Sequence, residues 1–187
     1  MVPDEKVPEF SGRIYHEASR LSALVADIIQ LSRLDEKNSD LPFEPVDLYE
    51  LAEDIVLHLD SAASKKNINV SLEGNAVTVQ GVRHVIYEML YNIADNAIRY
   101  TDQNGTVNIF TGTVNGHAFY RVEDNGIGMT KERLNQVRGG LTTKIEDSND
   151  FYGLYNVNER IRLKFGEEYG LSIDSVLQEG TCVEVWL

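Results

Sequence analysis

The chain has 187 residues, 42% of them hydrophobic, and a formal net charge of −13 at pH 7. This length can bury one domain-sized core plus an extension, and the acidic balance argues against nucleic acid or an anionic membrane surface as the main partner. The sequence has no apolar run of about 18 residues or more and no signal-peptide core. A single cysteine, Cys182, excludes an intrachain disulfide, so we expect a soluble protein in a reducing compartment.

The first predicted element is one long helix from Pro8 to about Glu36. Its apolar residues Ile14, Ala18 and Leu21 follow the alternating spacing of a heptad seam. Such a stripe needs a partner helix, from another chain or from residues before the helix; packing on the following domain is the alternative. The polar, proline-bearing stretch 39–46 is interpreted as a linker.

Helices and strands are mixed beyond the linker. Helices are predicted near 47–66, 82–100, 131–137 and 152–165, and strands near 68–74, 77–81, 106–113, 117–123, 171–177 and 181–187. The polar, glycine-bearing stretch 138–150 is predicted to be a loop. Because regular βαβ alternation is missing, the pattern predicts an α+β fold with helices covering one face of a mixed or antiparallel sheet.

The helix "YEMLYNIADNAIRYT" carries two asparagines, Asn92 and Asn96, whose spacing places them on one face. Asparagine is not favoured in helix interiors. Amide oxygens are neutral ligands suited to Mg²⁺, and they do not repel a triphosphate. Arg99 and Tyr100 follow one turn later and offer a cation for phosphate and an aromatic edge for base or ribose. The alternative is that the asparagines are ordinary surface residues.

The segment "VEDNGIGM" places Asp124 at the end of a predicted strand. Its carboxylate could accept a hydrogen bond from an exocyclic amine such as adenine N6. Gly126 and Gly128 allow the backbone to approach a flat ligand closely, and Ile127 and Met129 could form an apolar wall. An ordinary Asp-Asn-Gly turn is the alternative interpretation.

The segment "YGLYNV" places Gly153 at a helix start, where backbone N–H groups can hold phosphate. The preceding "RGGLTTK", which ends at Lys144, could form a mobile lid over phosphates. It does not match a P-loop. An ordinary N-terminal glycine and a plain loop are the alternatives.

The order of these motifs carries more information than any one of them. Asn-x3-Asn-Ala, then Asp-x-Gly-x-Gly, then a helix-start glycine and finally "EGT" resembles the GHKL ATP-binding superfamily. "NIADNAIRYT" and "DNGIGM" resemble the N and G1 boxes of the catalytic ATP-binding (CA) domain of sensor histidine kinases. "GLYNVNERIRLKFGEEYGLSIDS" with "EGT" resembles the G2 region and tail of YesM-type kinases. "IYHEASRLSALVADIIQLSRLDE" resembles the second helix of the dimerisation and phosphotransfer (DHp) hairpin of PhoR-like kinases.

The resemblance implies a Bergerat-type α/β sandwich, with residues 1–38 a partial DHp domain, 39–46 a linker and 47–187 the CA domain. It implies an ATP-dependent protein-histidine kinase of a two-component system, which positions ATP and Mg²⁺ for γ-phosphoryl transfer to a DHp histidine. Its implied partners are the DHp hairpin of its own full-length protein, a second copy in a homodimer through DHp, and a response regulator. The chain would be the cytoplasmic portion of a bacterial sensor anchored to the membrane through missing N-terminal parts.

The same resemblance implies the ligand-binding residues. Asn96 would ligate Mg²⁺ with Asn92 nearby, and Asp124 would bind adenine with Thr181 assisting through a water molecule. The implied nucleotide-binding residues are Asn92, Asn96, Arg99, Tyr100, Asp124, Gly126, Ile127, Gly128, Met129, Lys144, Gly153, Leu154 and Thr181.

Two departures from the family pattern leave an alternative function open. The usual G2 pattern GxGxGL is "NDFYGL" here, and Phe151 in a glycine's place could narrow the phosphate channel. No phenylalanine-rich F box follows G1, so that Arg133, Arg138 and Lys144 are candidates for contacting the γ-phosphate. The alternative is a non-catalytic nucleotide-sensing or dimerisation module with a degraded G2 box.

Two further expectations concern catalysis. Hydrolytic members of the superfamily carry a glutamate where this chain has Asn92; since an amide cannot accept the proton of an attacking water, we predict negligible ATP hydrolysis. His16 lacks the following proline of the phosphoacceptor motif His-Glu-x-x-Thr/Ser-Pro and is interpreted as a helix-surface residue. The acceptor is expected before Met1, so this chain should contain no catalytic histidine and should not autophosphorylate alone.

Overall fold

Four helices and seven strands lie in residues 42–142 and 152–187, which a computed structural model describes. The chain divides into two units, Met1–Pro42 and Phe43–Leu187. Predictions for the long helix, the acceptor-like His16, Lys144 and Phe151 lie outside the described residues. Among the described helices, none is long and apolar enough to span a bilayer.

The elements are β1 (Glu44–Asp47), α1 (Leu48–Lys65), β2 (Asn69–Gly74), β3 (Thr78–Gly81), α2 (Arg83–Tyr100), β4 (Thr106–Val114), β5 (His117–Asp124), α3 (Lys131–Thr142), α4 (Tyr152–Phe165), β6 (Gly170–Val176) and β7 (Gly180–Trp186).

The main sheet has five strands in the order β2-β4-β5-β7-β6. β2 and β4 are parallel and the other neighbours are antiparallel, which confirms the predicted α+β fold with a mixed sheet. β5 is the middle strand, and its last residue, Asp124, lies opposite Val107 on one side and Thr181 on the other. β1 and β3 form a separate antiparallel pair.

Side chains alternate between two faces of the main sheet, as strand geometry requires. Ile109, Tyr120 and Val185 lie on the face that is buried together with the apolar sides of the helices. On the opposite face the guanidinium carbon of Arg121 lies 4.6 Å from the ring centroid of Phe110. Helices therefore cover one face, as the sequence pattern predicts.

The helices α1 and α2 begin and bury their apolar sides for identifiable reasons. Asp47 caps α1, since its carboxylate accepts hydrogen bonds from the N–H groups of Tyr49 (2.8 Å) and Glu50 (3.3 Å). α2 buries Met89, Leu90, Ile93, Ala94, Ala97 and Ile98. This burial turns the opposite side of α2, with its polar residues, toward the outside of the core.

Part of the linker predicted for 39–46 is a strand in the structure, because Glu44–Asp47 form β1 and pair with β3. Two prolines indicated an irregular segment. Pro45 is tolerated because β1 has only one partner strand among the described residues. Val46 beside it is only 1% exposed, so this strand contributes to the core.

The first part of the loop predicted for 138–150 is helical in the structure, because α3 continues through Thr142. Gly139 and Gly140 suggested a loop, but the helical apolar spacing does not stop there. Leu141 continues the series of Leu134 and Val137, and all three pack against Ile173 of β6. The helix continues because this apolar side is buried.

Candidate functional site

Three segments that the sequence singled out meet at one end of the main sheet: the end of α2, the turn after β5 and the start of β7. The N–H of Ile127 donates to the carbonyl oxygen of Tyr100 at 3.3 Å. The carbonyl oxygen of Ile127 accepts from the N–H of Gln178, in the β6–β7 turn, at 2.8 Å. The turn that follows β5 is thus held between α2 and the β6–β7 turn.

Asp124 is half-buried at the end of β5. Its Oδ1 accepts a hydrogen bond from the N–H of Gly126 at 2.8 Å. Burial raises the pKa of the Asp124 carboxyl above its ordinary value, and the backbone N–H groups of Gly126 and Thr181 oppose that shift. The neighbouring Asn125 holds the turn to β4, because its Oδ1 accepts from the N–H of Thr106 at 2.7 Å.

The glycines of this turn are needed for close backbone approach. A Cβ on Gly126 would collide with the carbonyl oxygen of Tyr100, and one on Gly128, whose φ is +59°, would collide with that of Val176. The sequence interpretation did not include Gly180 among the site residues. Its φ is +124°, and a Cβ there would collide with the carbonyl oxygen of Asp124. The signal for it was present in "EGT".

Helix α2, which ends beside this turn at Tyr100, also carries polar residues outside the core. Asn92 is exposed and Asn96 is half-buried, and the side chain of neither is hydrogen-bonded to another described residue. Arg99 is exposed, and no carboxylate of the described part of the chain pairs with it. Tyr100 is 56% exposed. These groups are therefore available to a ligand.

The chemistry of these residues suits a divalent cation that brings other ligands with it. Residues 42–142 and 152–187 hold no group of three or more His, Cys, Asp and Glu that could enclose a metal ion. Asn92 and Asn96 offer two uncommitted amide oxygens. This donor set fits Mg²⁺ that takes its remaining ligands from phosphate and water, as Mg²⁺ commonly does.

Other predicted site residues are distributed around this region. Met129 and Leu154 pack against a core cluster formed by Leu134, Val137, Leu141 and Ile173. Ile127, predicted as part of an apolar wall, is 51% exposed. Gly153 is the second residue of α4. The hydroxyl of Thr181 lies 3.0 Å from that of Ser175, beside the Asp124 backbone.

Arg138 was a candidate for contacting the γ-phosphate, but the structure engages it elsewhere. Its Nε donates to the carbonyl oxygen of Ile173 at 2.8 Å, and its Nη2 pairs with Asp174. The continuation of α3 past Val137 places this side chain against β6. Its contact with the γ-phosphate stays an untested prediction.

Two contacts that the sequence interpretation missed hold α2 in place. The ammonium group of Lys66, at the end of α1, donates to carbonyl oxygens at the end of α2. Glu88, one turn before Asn92, has carboxylate oxygens 3.0 Å from His84 Nε2 and 3.9 Å from Arg160 Nη1 on α4. The Lys66 and Arg160 contacts have no local sequence signal, because they join residues that are distant in the chain, whereas His84 and Glu88 are only four residues apart on α2.

A carboxylate at the end of the middle strand, glycines in the turn beside it and asparagines on the adjoining helix are the features of an ATP-binding α/β domain of the predicted class. Residues 81–187, more than half of the chain, match the family of histidine kinase-, DNA gyrase B- and HSP90-like ATPases. The chain belongs to this family, which confirms the resemblance inferred from the motifs.

Curated relatives are sensor kinases. The chain is 34% identical over 159 residues to the sensor protein kinase PmrB of Pseudomonas aeruginosa. This alignment covers 82% of this chain and 33% of PmrB. It is 25% identical over 138 residues to the cell-division control histidine kinase PdhS of Brucella anthropi, which covers 72% of this chain and 13% of PdhS. The chain thus spans about a third of PmrB and a smaller share of PdhS.

Solved structures of histidine kinases share the fold. Histidine kinase ThkA, in complex with response regulator protein TrrA, matches with a TM-score of 0.72 and 21% identity, covering 100% of this chain and 52% of the ThkA chain. The Acinetobacter baumannii histidine kinase AdeS matches with a TM-score of 0.67 and 20% identity, covering 100% and 86%. The catalytic domain of ThkA alone gives a TM-score of 0.66 at 18% identity, with 79% and 97% covered.

Proposed function

We propose that this chain is the ATP-handling part of a sensor histidine kinase, which holds Mg-ATP for transfer of its γ-phosphoryl group to a histidine. The observation that carries the proposal is the half-buried carboxylate of Asp124, held by the N–H of Gly126 where the end of α2, the glycine turn and β7 meet. A buried acceptor at such a point suits the exocyclic amine of adenine. A hydrogen bond to a charged group contributes about 1.5–3 kcal/mol.

The phosphates would lie along the polar side of α2. Asn96 and Asn92 would hold Mg²⁺, which neutralises developing charge on the transferring phosphoryl group. The exposed guanidinium of Arg99 would add a cation in an otherwise acidic chain. The N-terminal N–H groups of α4, at Gly153, would hold phosphate oxygens without side-chain charge.

The reaction exchanges one bond for another at phosphorus. The bond from the γ-phosphorus to the bridging oxygen breaks and leaves ADP, while a bond to an imidazole nitrogen of the acceptor histidine forms. Because little covalent chemistry is required of the protein, positioning and charge stabilisation are its main contributions. The residues named above can supply both.

The second half of the proposal concerns the histidine that accepts the phosphoryl group. We infer that residues 1–38 are the second helix of a DHp hairpin and that the acceptor histidine lies on its first helix. The full-length protein would be a homodimer through DHp, would pass the phosphoryl group to a response regulator and would be a membrane-anchored sensor with this part in the cytoplasm. ThkA, which shares the fold, is known in complex with a response regulator.

Calorimetric titration of the chain with ATP in the presence of Mg²⁺ tests the first half. We expect one site per chain, and failure to bind overturns the proposal. The second half is tested by adding γ-labelled ATP and a DHp segment that carries the histidine. Acid-labile label should appear on that segment and be lost when its histidine is replaced by alanine. Binding without transfer would favour the nucleotide-sensing alternative.

A further inference from the structure

We propose that Lys66 is a positioning residue for nucleotide binding: its ammonium group fixes the last turn of α2 against the glycine turn after β5. This inference rests on the proposed function, because it concerns the same site. The ammonium group of Lys66 makes no hydrogen bond to Asp124, Asn92 or Asn96 in the structure. It would act through the backbone that carries Arg99 and Tyr100.

The contacts of Lys66 are concentrated on one helix end. Its Nζ lies 3.0 Å from the carbonyl oxygen of Ile98, 2.7 Å from that of Arg99 and 3.0 Å from that of Thr101. An ammonium group has three N–H donors, and each has an acceptor here. A cation at a helix C-terminus also complements the helix dipole.

Lys66 completes the hydrogen bonding of the whole helix end. The last carbonyl groups of a helix have no partner within it. The carbonyl of Ala97 accepts from the N–H of Thr101 at 3.0 Å and from its hydroxyl at 2.7 Å. The carbonyl of Tyr100 accepts from the N–H of Ile127. With Lys66 on the remaining three, every carbonyl from Ala97 to Thr101 is satisfied.

The position of Lys66 is itself fixed. Its N–H donates to the carbonyl oxygen of Ala63 at 3.1 Å, and its own carbonyl accepts from the N–H of Asn104 at 3.0 Å. α1, which precedes it, packs on α2 and on the sheet. The ammonium group therefore projects from a rigid support, and this distinguishes it from a surface lysine that reaches a carbonyl by chance.

The consequence concerns the geometry between two ligand-binding segments. Tyr100 carries the carbonyl that binds Ile127, and Gly126 approaches that same carbonyl closely. If the ammonium group is removed, the last turn of α2 loses three hydrogen bonds, and Arg99 and Tyr100 lose their fixed relation to the glycine turn. Binding groups that are not held in place bind more weakly.

The test compares three variants at a temperature at which circular dichroism shows all of them folded. Lys66→Met keeps the length of the side chain without its charge and should weaken Mg-ATP binding about tenfold or more. Lys66→Arg should recover part of the loss. Lys65→Met is the matched control, because Lys65 is the exposed neighbouring lysine in the last turn of α1, and it should bind as the wild type does.

A second measurement needs no nucleotide. Amide hydrogen exchange at Ile127 should be faster in Lys66→Met than in the wild type and unchanged in Lys65→Met. Unchanged exchange at Ile127, or Mg-ATP affinity equal to that of the wild type, overturns the inference. If the wild type does not bind Mg-ATP, the proposed function fails, and a role of Lys66 in nucleotide binding fails with it. The hydrogen exchange of Ile127 would still show whether Lys66 fixes the glycine turn. If Lys66→Met does not fold, Lys66→Gln, which keeps a donor without charge, takes its place.

Discussion

Oδ1 of Asp124 accepts the backbone N–H of Gly126 at 2.8 Å, which fixes how the carboxyl group is turned. In Asp124→Asn the amide oxygen keeps this bond, and the NH2 group takes the place of Oδ2. A donor would then face the N6 donor of adenine. We expect Mg-ATP affinity to fall about 10- to 100-fold, and the preference for ATP over GTP to fall with it, since guanine presents an acceptor at that position. Calorimetry with both nucleotides measures this.

Glu123→Gln is the control for that experiment. It removes the same charge from the neighbouring residue, whose side chain lies on the opposite face of β5 and pairs with Arg121 at 3.1 Å. Its nucleotide affinity should equal that of the wild type. Equal losses in both variants would mean that overall charge, and not the Asp124 hydrogen bond, determines affinity.

The raised pKa of Asp124 predicts a pH dependence of stability. Burial raises this pKa above the ordinary value of 3.8. Between the two values the folded state binds more protons than the unfolded state, so stability falls as pH rises. The free energy of unfolding of the wild type, relative to Asp124→Asn, should therefore decrease from about pH 4 toward pH 7. Urea unfolding across this range measures the difference, and an increase with pH would contradict the assignment.

Gly126→Ala should damage both stability and binding. The added Cβ would collide with the carbonyl oxygen of Tyr100 and lie 2.9 Å from Oδ1 of Asp124. We expect a loss of about 1–3 kcal/mol in the free energy of unfolding and weaker Mg-ATP binding in calorimetry. Gly139→Ala is the matched control: it lies in α3 with nothing within 4 Å of an added Cβ, and it should gain about 0.5–1 kcal/mol. If Gly126→Ala changed neither the free energy of unfolding nor the Mg-ATP affinity, the close approach of Gly126 to the Tyr100 carbonyl would be contradicted.

Asn92→Glu tests whether the amide at this position prevents hydrolysis of ATP, so that the γ-phosphoryl group is kept for transfer. A carboxylate at this exposed position could accept the proton of an attacking water, whereas the amide cannot. We expect ADP release from ATP to rise about tenfold or more over the wild type. Asn92→Gln has the same side-chain length without a base and should stay at the wild-type rate. Equal rates for the two variants would contradict this explanation.

Local patterns predicted much of the architecture. The helix predicted for 152–165 is α4, and the strand predicted for 68–74 is β2 with one residue fewer. Asp124, Gly126 and Gly128 were identified because a strand end and a turn have compositional signals. The proximity of Gly126 to Tyr100 depends on how β5 and α2 pack, and no local pattern encodes that.

The errors have physical causes. Gly139 and Gly140 taken alone indicate a loop, but the burial of Leu141 against β6 outweighs the low helix propensity of the two glycines. Pro45 suggested a linker, yet a strand with one partner tolerates it. Lys66 could not be found from sequence because its contacts join residues 32 to 35 positions apart. Such contacts are determined by tertiary packing.

The residues proposed to bind the base and those proposed to bind the phosphates lie on different elements of the domain. Asp124 sits on a strand paired on both sides, by β4 and β7, whereas Asn92, Asn96 and Arg99 lie on a helix that packs over that sheet. Under the proposed function, the residue that selects the base therefore lies on a strand that is held from both sides. Under the proposed function, exchanging the side chains of Asn92, Asn96 and Arg99 would leave the carboxylate that selects the base unchanged. Under the proposed function, substitutions on the polar side of α2 would change how the phosphates are handled while the domain continues to bind the same nucleotide.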